Sequence, residues 1–497
     1  MKRRDFCRMS LLTGAAAAVP ASRLIAAAEA SSQLGPTDLR AVKLSGAETV
    51  IERAAVRDFR ASLSGTLLAP GDEGYEAARH VWNGMIDKHP ALIARCANTA
   101  DVVRAVTFAR ERELLLAVRG GGHSFPGYST CDGGLVVDLS PMRSVAVHAD
   151  TQTARAAGGA WGAHVDAAAQ QQALVTPLGQ ISNTGVAGLT LGGGFGWLSR
   201  RFGLACDNLI SVELVTADGK VRNVSAHDEP DLFWAIRGGG GNFGVATSFE
   251  YHLHPLNPTV VGGHVDFPTA QLKDAIEFYA GLIMHAPREL SVDLSLAPNE
   301  DGVPGAQIYV VYSGDAKTAE KVLEPLLRFG KPIKNTIKQQ SYLVVQTWFD
   351  PPPIDPAHHY LKGGFVREYP SALITLLAEE VRPEAGTHVY FQSANGAVAD
   401  VPQTATAFSH RNIVANMMLA GSWKDPAQDG PARKTIHATW NKLAPFTEGY
   451  YVNLNDTDAK DKGPDSNYGP NFIRLASLKK QFDPINLFRL NANIKPA

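Results

Sequence analysis

Three consecutive glycines and a histidine, in Arg119-Gly120-Gly121-Gly122-His123-Ser124, stand directly after the apolar run Leu114–Val118. Glycines let backbone N–H groups approach an anion closely, and this run delivers one nucleophilic imidazole at a fixed distance beyond them. The combination suggests a tethered, phosphate-bearing cofactor, although such a loop alone is equally a surface turn with a solvated histidine. Further glycine-rich blocks follow. Gly185-Val186-Ala187-Gly188-Leu189-Thr190-Leu191-Gly192-Gly193-Gly194 continues toward Cys206-Asp207-Asn208, and Asp231–Ile236 leads into Gly238-Gly239-Gly240-Gly241-Asn242-Phe243-Gly244-Val245. Gly239-x-Gly241-x-x-Gly244 matches a dinucleotide fingerprint, but it follows a predicted helix and precedes a predicted strand. A Rossmann turn needs the reverse order, so no nicotinamide site is assigned there.

The stretch Leu116–Tyr128, LAVRGGGHSFPGY, resembles the pyrophosphate loop of the berberine-bridge-enzyme-like flavoproteins. The blocks at Gly185–Asn208 and Asp231–Val245 are similar to the family's flavin-lining segments. Tyr451-Val452-Asn453, Tyr468–Leu475 and Phe482–Phe488 are similar to its C-terminal signature. The resemblance implies an α+β fold: a PCMH-type FAD-binding domain in two parts, with an inserted α+β substrate domain carrying an antiparallel sheet. It also implies FAD held by one covalent bond from His123 to the 8α carbon. The cofactor set it implies is Arg119, Gly120, Gly121, Gly122, His123, Ser124, Gly185, Gly188, Gly192, Gly193, Gly194, Gly244, Val245 and Asn491. Many plant members add a second bond from a cysteine, at a position that is Ile181 here, so a single link is expected. Leu189 occupies the place of a histidine near the flavin pyrimidine in many plant members.

Flavin oxidation sends a hydride to the flavin while a base takes the proton of the adjoining O–H or N–H. The resemblance points to Tyr451 as that base, or else as a stacked core residue, with Asn453 fixing its hydroxyl. A phenol needs a cation to act so at neutral pH, and Arg411 is the candidate for it, or for a substrate contact. On the run His388–Gln392, alternation puts His388, Tyr390 and Gln392 on one face, toward substrate or in an interior hydrogen-bond network. The function implied is oxidation of an alcohol or amine of a small organic substrate, a sugar, aromatic alcohol or alkaloid-like amine, with O2 or another acceptor taking the electrons. An oxidative cyclase and a silent flavin-binding electron carrier are the alternatives.

Positioning these groups requires a mixed framework. The spacing predicts a helix from Asn98 to Glu113, strands at 114–118, 134–139 and 144–148, a helix at 159–172, and a hairpin around Asp218-Gly219 with a type I′ turn. From Pro255 the pattern becomes strands at 290–296, 307–312, 388–393 and 413–419. Amphipathic helices lie between them, carrying Leu272 to Ile283, Val322 to Leu327 and Leu373 to Leu377, and another surrounds Trp440. The chain divides into an N-terminal extension, 31–79, a cofactor domain, 80–255, a substrate domain, 256–430, with a proline-rich loop at 350–356, and a closing segment, 431–497.

Residues 1–30 read as an address. Arg3-Arg4-Asp5-Phe6 before Leu11–Val19, with Ala28-Glu29-Ala30 ahead of Ser31, is similar to a twin-arginine signal, implying a periplasmic or secreted protein. A net charge of −2 over 497 residues, without a basic cluster, argues against nucleic-acid binding. No later apolar run is long enough for stable membrane insertion. Cys96, Cys131 and Cys206 remain in the mature chain, enough for one disulfide, and no metal-ligand spacing occurs.

Overall fold

A computed structural model describes residues 38–352, 356–379, 381, 387–454 and 467–497. The signal-like segment 1–30 and Pro353-Ile354-Asp355 of the proline-rich stretch lie outside the described residues.

The helix Thr99–Glu111 begins where the side chain of Asn98 accepts the N–H of Asp101 at 3.0 Å, a cap that satisfies one otherwise orphaned donor. Val102, Ala105, Val106 and Ala109 bury one face of it. The following strand, Leu116–Arg119, is the edge of a four-stranded sheet ordered Thr66–Leu68, Leu92–Arg95, Leu135–Asp138, Leu116–Arg119. Its last three strands are parallel, and the glycine run leaves the C-terminal end of the edge strand. A second, antiparallel sheet of five strands is ordered Val221–Ser225, Leu209–Val215, Val245–His252, Thr153–Ala157, Val145–His148. The fold is α+β, without a repeating βαβ order.

The hairpin joining Leu209–Val215 to Val221–Ser225 differs from the type I′ expectation. Only Gly219 of the Asp218-Gly219 pair has positive φ, +78°, and Thr216 N–H bonds the Lys220 carbonyl at 3.0 Å. Asp218 instead accepts the Thr216 hydroxyl at 2.6 Å, which holds it out of the left-handed region a type I′ turn needs. The helix Pro230–Ile236 and the strand Val245–His252 flank the fingerprint-like glycines in the non-Rossmann order.

The middle of the chain forms an antiparallel sheet of eight strands among the described residues. Its order is Lys334–Asn335, Thr259–Pro268, Pro304–Tyr312, Leu290–Pro298, Thr387–Ser393, Ala415–Trp423, His358–Val366, with Lys338–Ser341 also on Thr259–Pro268. Alternation divides its faces. Val292, Leu294, Leu296, Val389, Phe391, Met417 and Leu419 share one core with the helices Leu272–His285, Ala316–Arg328, Ser371–Glu379 and Asp429–Leu443. Each fully buried aliphatic side chain there contributes about 1.5–3 kcal/mol relative to exposure. Residues of opposite parity, Ser295, His388, Tyr390, Gln392, Met418 and Ala420, are left for the other face and line a cavity. Leu327, expected on the buried face of its helix, is 40% exposed, because the buried stripe is centred on Ala319, Leu323 and Leu326. The sequence pattern also misses the strands Thr259–Pro268 and His358–Val366. Each carries a glycine pair that weakens the strand signal, and a Cβ on Gly263 would sit 2.6 Å from the Ile337 backbone. No helix among the described residues is long and apolar enough to cross a membrane.

A candidate active site under the antiparallel sheet

One cavity of about 640 Å³ gathers most of the residues singled out from sequence. Gly120–Ser124, Gly185, Gly188, Gly244 and Asn491 contribute to its lining, with Tyr451 and Asn453, and the exposed row of the large sheet supplies another part. Cross-strand register builds that row: Ser295 lies opposite Tyr390 and Tyr390 opposite Met418, while His388 and Leu361 both pair with Ala420. The alternation expected of His388, Tyr390 and Gln392 holds, since all three line the cavity. The close fit of the glycine layers explains two glycines directly. A Cβ on Gly121 would collide with the backbone nitrogen of Gly185, and one on Gly185 with that of Gly121.

His123 stacks on Trp82, ring centroids 5.6 Å apart at 10°, and Trp82 stacks in turn with His359 at 4.4 Å. Burial pushes the His123 imidazole down to about pKa 4, against the opposing effects of the Asn183 side chain and the Asp350 carboxylate. The ring is therefore neutral at physiological pH and keeps a nucleophilic lone pair. Ile181 and Leu189 both line the cavity. Cys206 does not; its thiol is fully buried, and Cys96, Cys131 and Cys206 are free thiols.

Tyr451 is 3% exposed, and its hydroxyl oxygen accepts the N–H of Gly194 and the amide of Asn453, each at 2.9 Å. Asn453 makes this bond from the 3-10 turn Val452–Leu454. The same amide bonds the Leu189 carbonyl at 3.0 Å. Gly192, Gly193 and Gly194, assigned from sequence to the cofactor, do not line the cavity. Gly193, at φ +127°, lies against the Phe408 and Tyr451 rings, Gly194 turns its N–H to the Tyr451 hydroxyl, and a Cβ on Gly192 would strike the Asn453 side chain. They cradle the tyrosine. Burial pushes the Tyr451 phenol up to about 12, although Asn453, Gly194 and Phe195 donors oppose it. At neutral pH only about 10⁻⁵ of such a phenol is ionised. With both lone pairs occupied, its remaining capacity is to donate its O–H.

Three other expectations fall away from the cavity. Arg119 is turned to the Ala78 carbonyl, and Val245 is 1% exposed within its strand between the lining residues Gly244 and Ala246. Arg411 does not reach the cavity or Tyr451 as a counter-cation. Its guanidinium forms a bidentate pair with Asp207, 2.8 Å for each bond, and donates to Thr406 Oγ1 at 2.6 Å and to the Phe408 carbonyl at 3.2 Å.

The sequence reading also missed a buried polar cluster behind the lining. Asp293, fully buried, accepts the Tyr390 hydroxyl at 2.7 Å, the Gln180 amide at 2.5 Å and the Ser393 N–H at 2.8 Å. Gln392 donates to Gln180 Oε1 at 2.9 Å. The alternating Ser291-Val292-Asp293-Leu294-Ser295 pattern puts Asp293 on the cavity face, a signal legible only once the strand is assigned. Trp82 and His359 had no sequence signal.

The lining suits a large cofactor bearing an anionic bridge. Nothing lies within 4 Å of a Cβ built on Gly188 or Gly241, so the backbone is open to a close neighbour. The Trp82 indole N–H, the Ser129 hydroxyl and the Asn491 side-chain oxygen are buried without a protein partner, which such a neighbour would satisfy. FAD fits these residues, and the N–H groups of Gly120–Ser124 would hold its pyrophosphate.

Fold and site thus define an FAD-dependent oxidoreductase. The chain matches the FAD binding domain family over residues 90–225 and the family "Berberine and berberine like" over residues 450–495. It is 33% identical over 450 residues to an FAD-linked oxidoreductase of Dictyostelium discoideum, covering 89% of this chain and 97% of that one. It is 27% identical over 464 residues to the chitooligosaccharide oxidase of Gibberella zeae, covering 86% and 92%. The crystal structure of 6-hydroxy-D-nicotine oxidase from Arthrobacter nicotinovorans superposes with a TM-score of 0.80 at 27% identity, covering 88% of this chain and 99% of that one. The chain belongs to the berberine-bridge-enzyme-like family of FAD-linked oxidoreductases.

Proposed function

We propose that this chain is an exported flavoenzyme that carries FAD on a single covalent bond through His123 and oxidises a neutral hydroxyl compound, a sugar or an aromatic alcohol. The charge of the cavity carries the substrate side of this reading: among its described lining residues there is no Asp, Glu, Lys or Arg. A protonated amine would leave water for a lining that offers it no charged partner in direct contact, at a cost of several kcal/mol per ion. A hydroxyl compound needs only hydrogen bonds, and Gln180, His388, Tyr390, Gln392 and Tyr451 offer donors and acceptors for them. Relatives named for a chitooligosaccharide and for 6-hydroxy-D-nicotine bracket both classes, and the neutral lining favours the first.

FAD, when bound, supplies the two-electron acceptor. The neutral imidazole of His123 favours the covalent bond, and Ile181 in place of a cysteine favours its being the sole one. Tyr451 orients the substrate by donating its O–H, while the sheet residues hold the remaining hydroxyls. The matched test is anaerobic mixing with benzyl alcohol against benzylamine, and xylobiose or N,N′-diacetylchitobiose against glucosamine. Bleaching by the neutral member of a pair at least tenfold faster is expected. Bleaching by amines alone, or by nothing offered, would refute the substrate assignment.

Export rests on Arg3-Arg4 and the Ala28-Glu29-Ala30 site. Replacing both arginines by lysine keeps charge but removes the paired guanidinium groups, so fractionation should find the flavin-loaded protein held in the cytoplasm. Unchanged export of that variant would exclude the twin-arginine route.

A further inference from the structure

Two of the tyrosines that line the cavity, Tyr451 and Tyr390, have hydrogen bonds that run in opposite senses. Tyr451 receives two N–H donors at its oxygen. Tyr390 gives its proton away, to Asp293 at 2.7 Å, with Gln180 Oε1 a longer alternative at 3.2 Å. No described residue donates to the Tyr390 oxygen, so its lone pairs are available to a group in the cavity. Behind it, Asp293 is 0% exposed and is held by neutral donors, the Gln180 amide and the Ser393 N–H besides Tyr390. No described cation bonds to it. Arg200, whose charge Asp293 feels, spends its guanidinium on the carbonyls of Leu290 and Ala286, at 2.8 and 2.7 Å, and on the Asn395 side chain.

We propose that Tyr390, backed by Asp293, accepts the hydroxyl proton of the substrate. The proposal rests on the alcohol-oxidising reading above. The substrate C–H bond breaks with its electron pair passing to FAD as hydride, and the O–H bond breaks with its proton passing to the Tyr390 oxygen. Tyr390's own proton passes to Asp293. The alcohol becomes a carbonyl, two electrons reduce FAD, and the carboxylate becomes a carboxylic acid. A carboxylate in an ion pair would resist that protonation; one buried among neutral donors favours it. Burial indeed raises Asp293 above the ordinary carboxylate range. Tyr390 touches the substrate and is the catalytic residue, whereas Asp293 acts through it.

Asp293→Asn keeps the volume and an acceptor but cannot take a proton. Stopped-flow reduction by xylobiose or benzyl alcohol, whichever reduces wild type faster, is expected to slow by about 10²–10⁴-fold. FAD content, melting temperature and the Kd for the same probe should stay near wild type. Tyr390→Phe, which removes one oxygen, should slow reduction to a similar degree and covers the case in which Asp293→Asn folds poorly. A difference infrared spectrum should show a protonated-carboxyl band rising on reduction by the probe in wild type and missing in Asp293→Asn. Reduction within threefold of wild type in Tyr390→Phe or in a folded Asp293→Asn, or slowing that merely follows lost FAD or lost stability in both, would overturn the assignment. A wild-type flavin that no hydroxyl compound bleaches would fail the alcohol-oxidising reading and the dyad together, whereas normal bleaching with unaffected variants would fail the dyad alone.

Discussion

Replacing His123 by alanine is expected to make the flavin fully extractable by acid, where the wild-type precipitate stays yellow. On the proposed tether the effect is all or none, because the imidazole would be the attachment point, while the glycine layers, Asn491 and the sheet residues would still bind FAD without it. Native His123→Ala should therefore remain yellow and fold normally. The pH dependence of attachment follows from the ring's burial. An imidazole of pKa about 4 is neutral above that value, whereas one at the ordinary value of 6.5 is mostly protonated at about pH 5. Covalent incorporation of FAD into apoprotein should thus proceed at nearly full rate down to about pH 5 and fall only as pH approaches 4. Mass spectrometry of the denatured protein follows it directly. A rate that halves near pH 6.5 would mean that the ring is solvated during attachment.

Arg411→Ala is expected to cost about 3–5 kcal/mol of stability, because it leaves the Asp207 carboxylate buried without its partner. Arg411 and Asp207 have side-chain exposures of only 4% and 9%. The pair ties the loop Thr406–Arg411 to Ala205–Asn208, whose N–H groups at Ala205 and Cys206 bond the carbonyls of Gly194 and Gly193 at 3.0 and 2.9 Å. Phe408, on the same loop, packs against Gly193, and the rings of Phe408 and Tyr451 both pack on Phe195. Loss of the pair therefore loosens the cradle beneath Tyr451 without touching the cavity. Urea unfolding should show the full loss, and replacing Arg411 and Asp207 together by apolar residues of similar volume should recover most of it. A direct catalytic role would instead leave the melting curve nearly unchanged and abolish flavin reduction.

The cofactor side of this site was legible in the chain because its chemistry needs particular backbones. Gly121 and Gly185 must approach one another, so their residue types announce the contact. The same signal misled at Gly192–Gly194, where the absent Cβ makes room for Asn453, Phe408 and Ala205 in turn rather than for a ligand, since glycine reports closeness and not the identity of the neighbour. Period-2 alternation placed His388, Tyr390 and Gln392 correctly, a local rule that needs no partner strand. Asp293 was missed because its importance lies in pairings with Gln180, Tyr390 and Ser393, about 100 residues away in sequence. Arg411 was misassigned for the same reason: a cation in a diagnostic motif looks free until Asp207 is found facing it. The neutrality of the cavity is a property of the assembled lining and belongs to no single segment.

Peptide mapping of the wild-type protein tests the tethered-cofactor account most directly. Digestion of acid-denatured enzyme should yield one flavin-bearing peptide, spanning the glycine run and modified at His123, with the Cys206 peptide recovered as a free thiol. A map with no flavin peptide, or with flavin on Cys206, would contradict the assignment of His123 as the sole anchor.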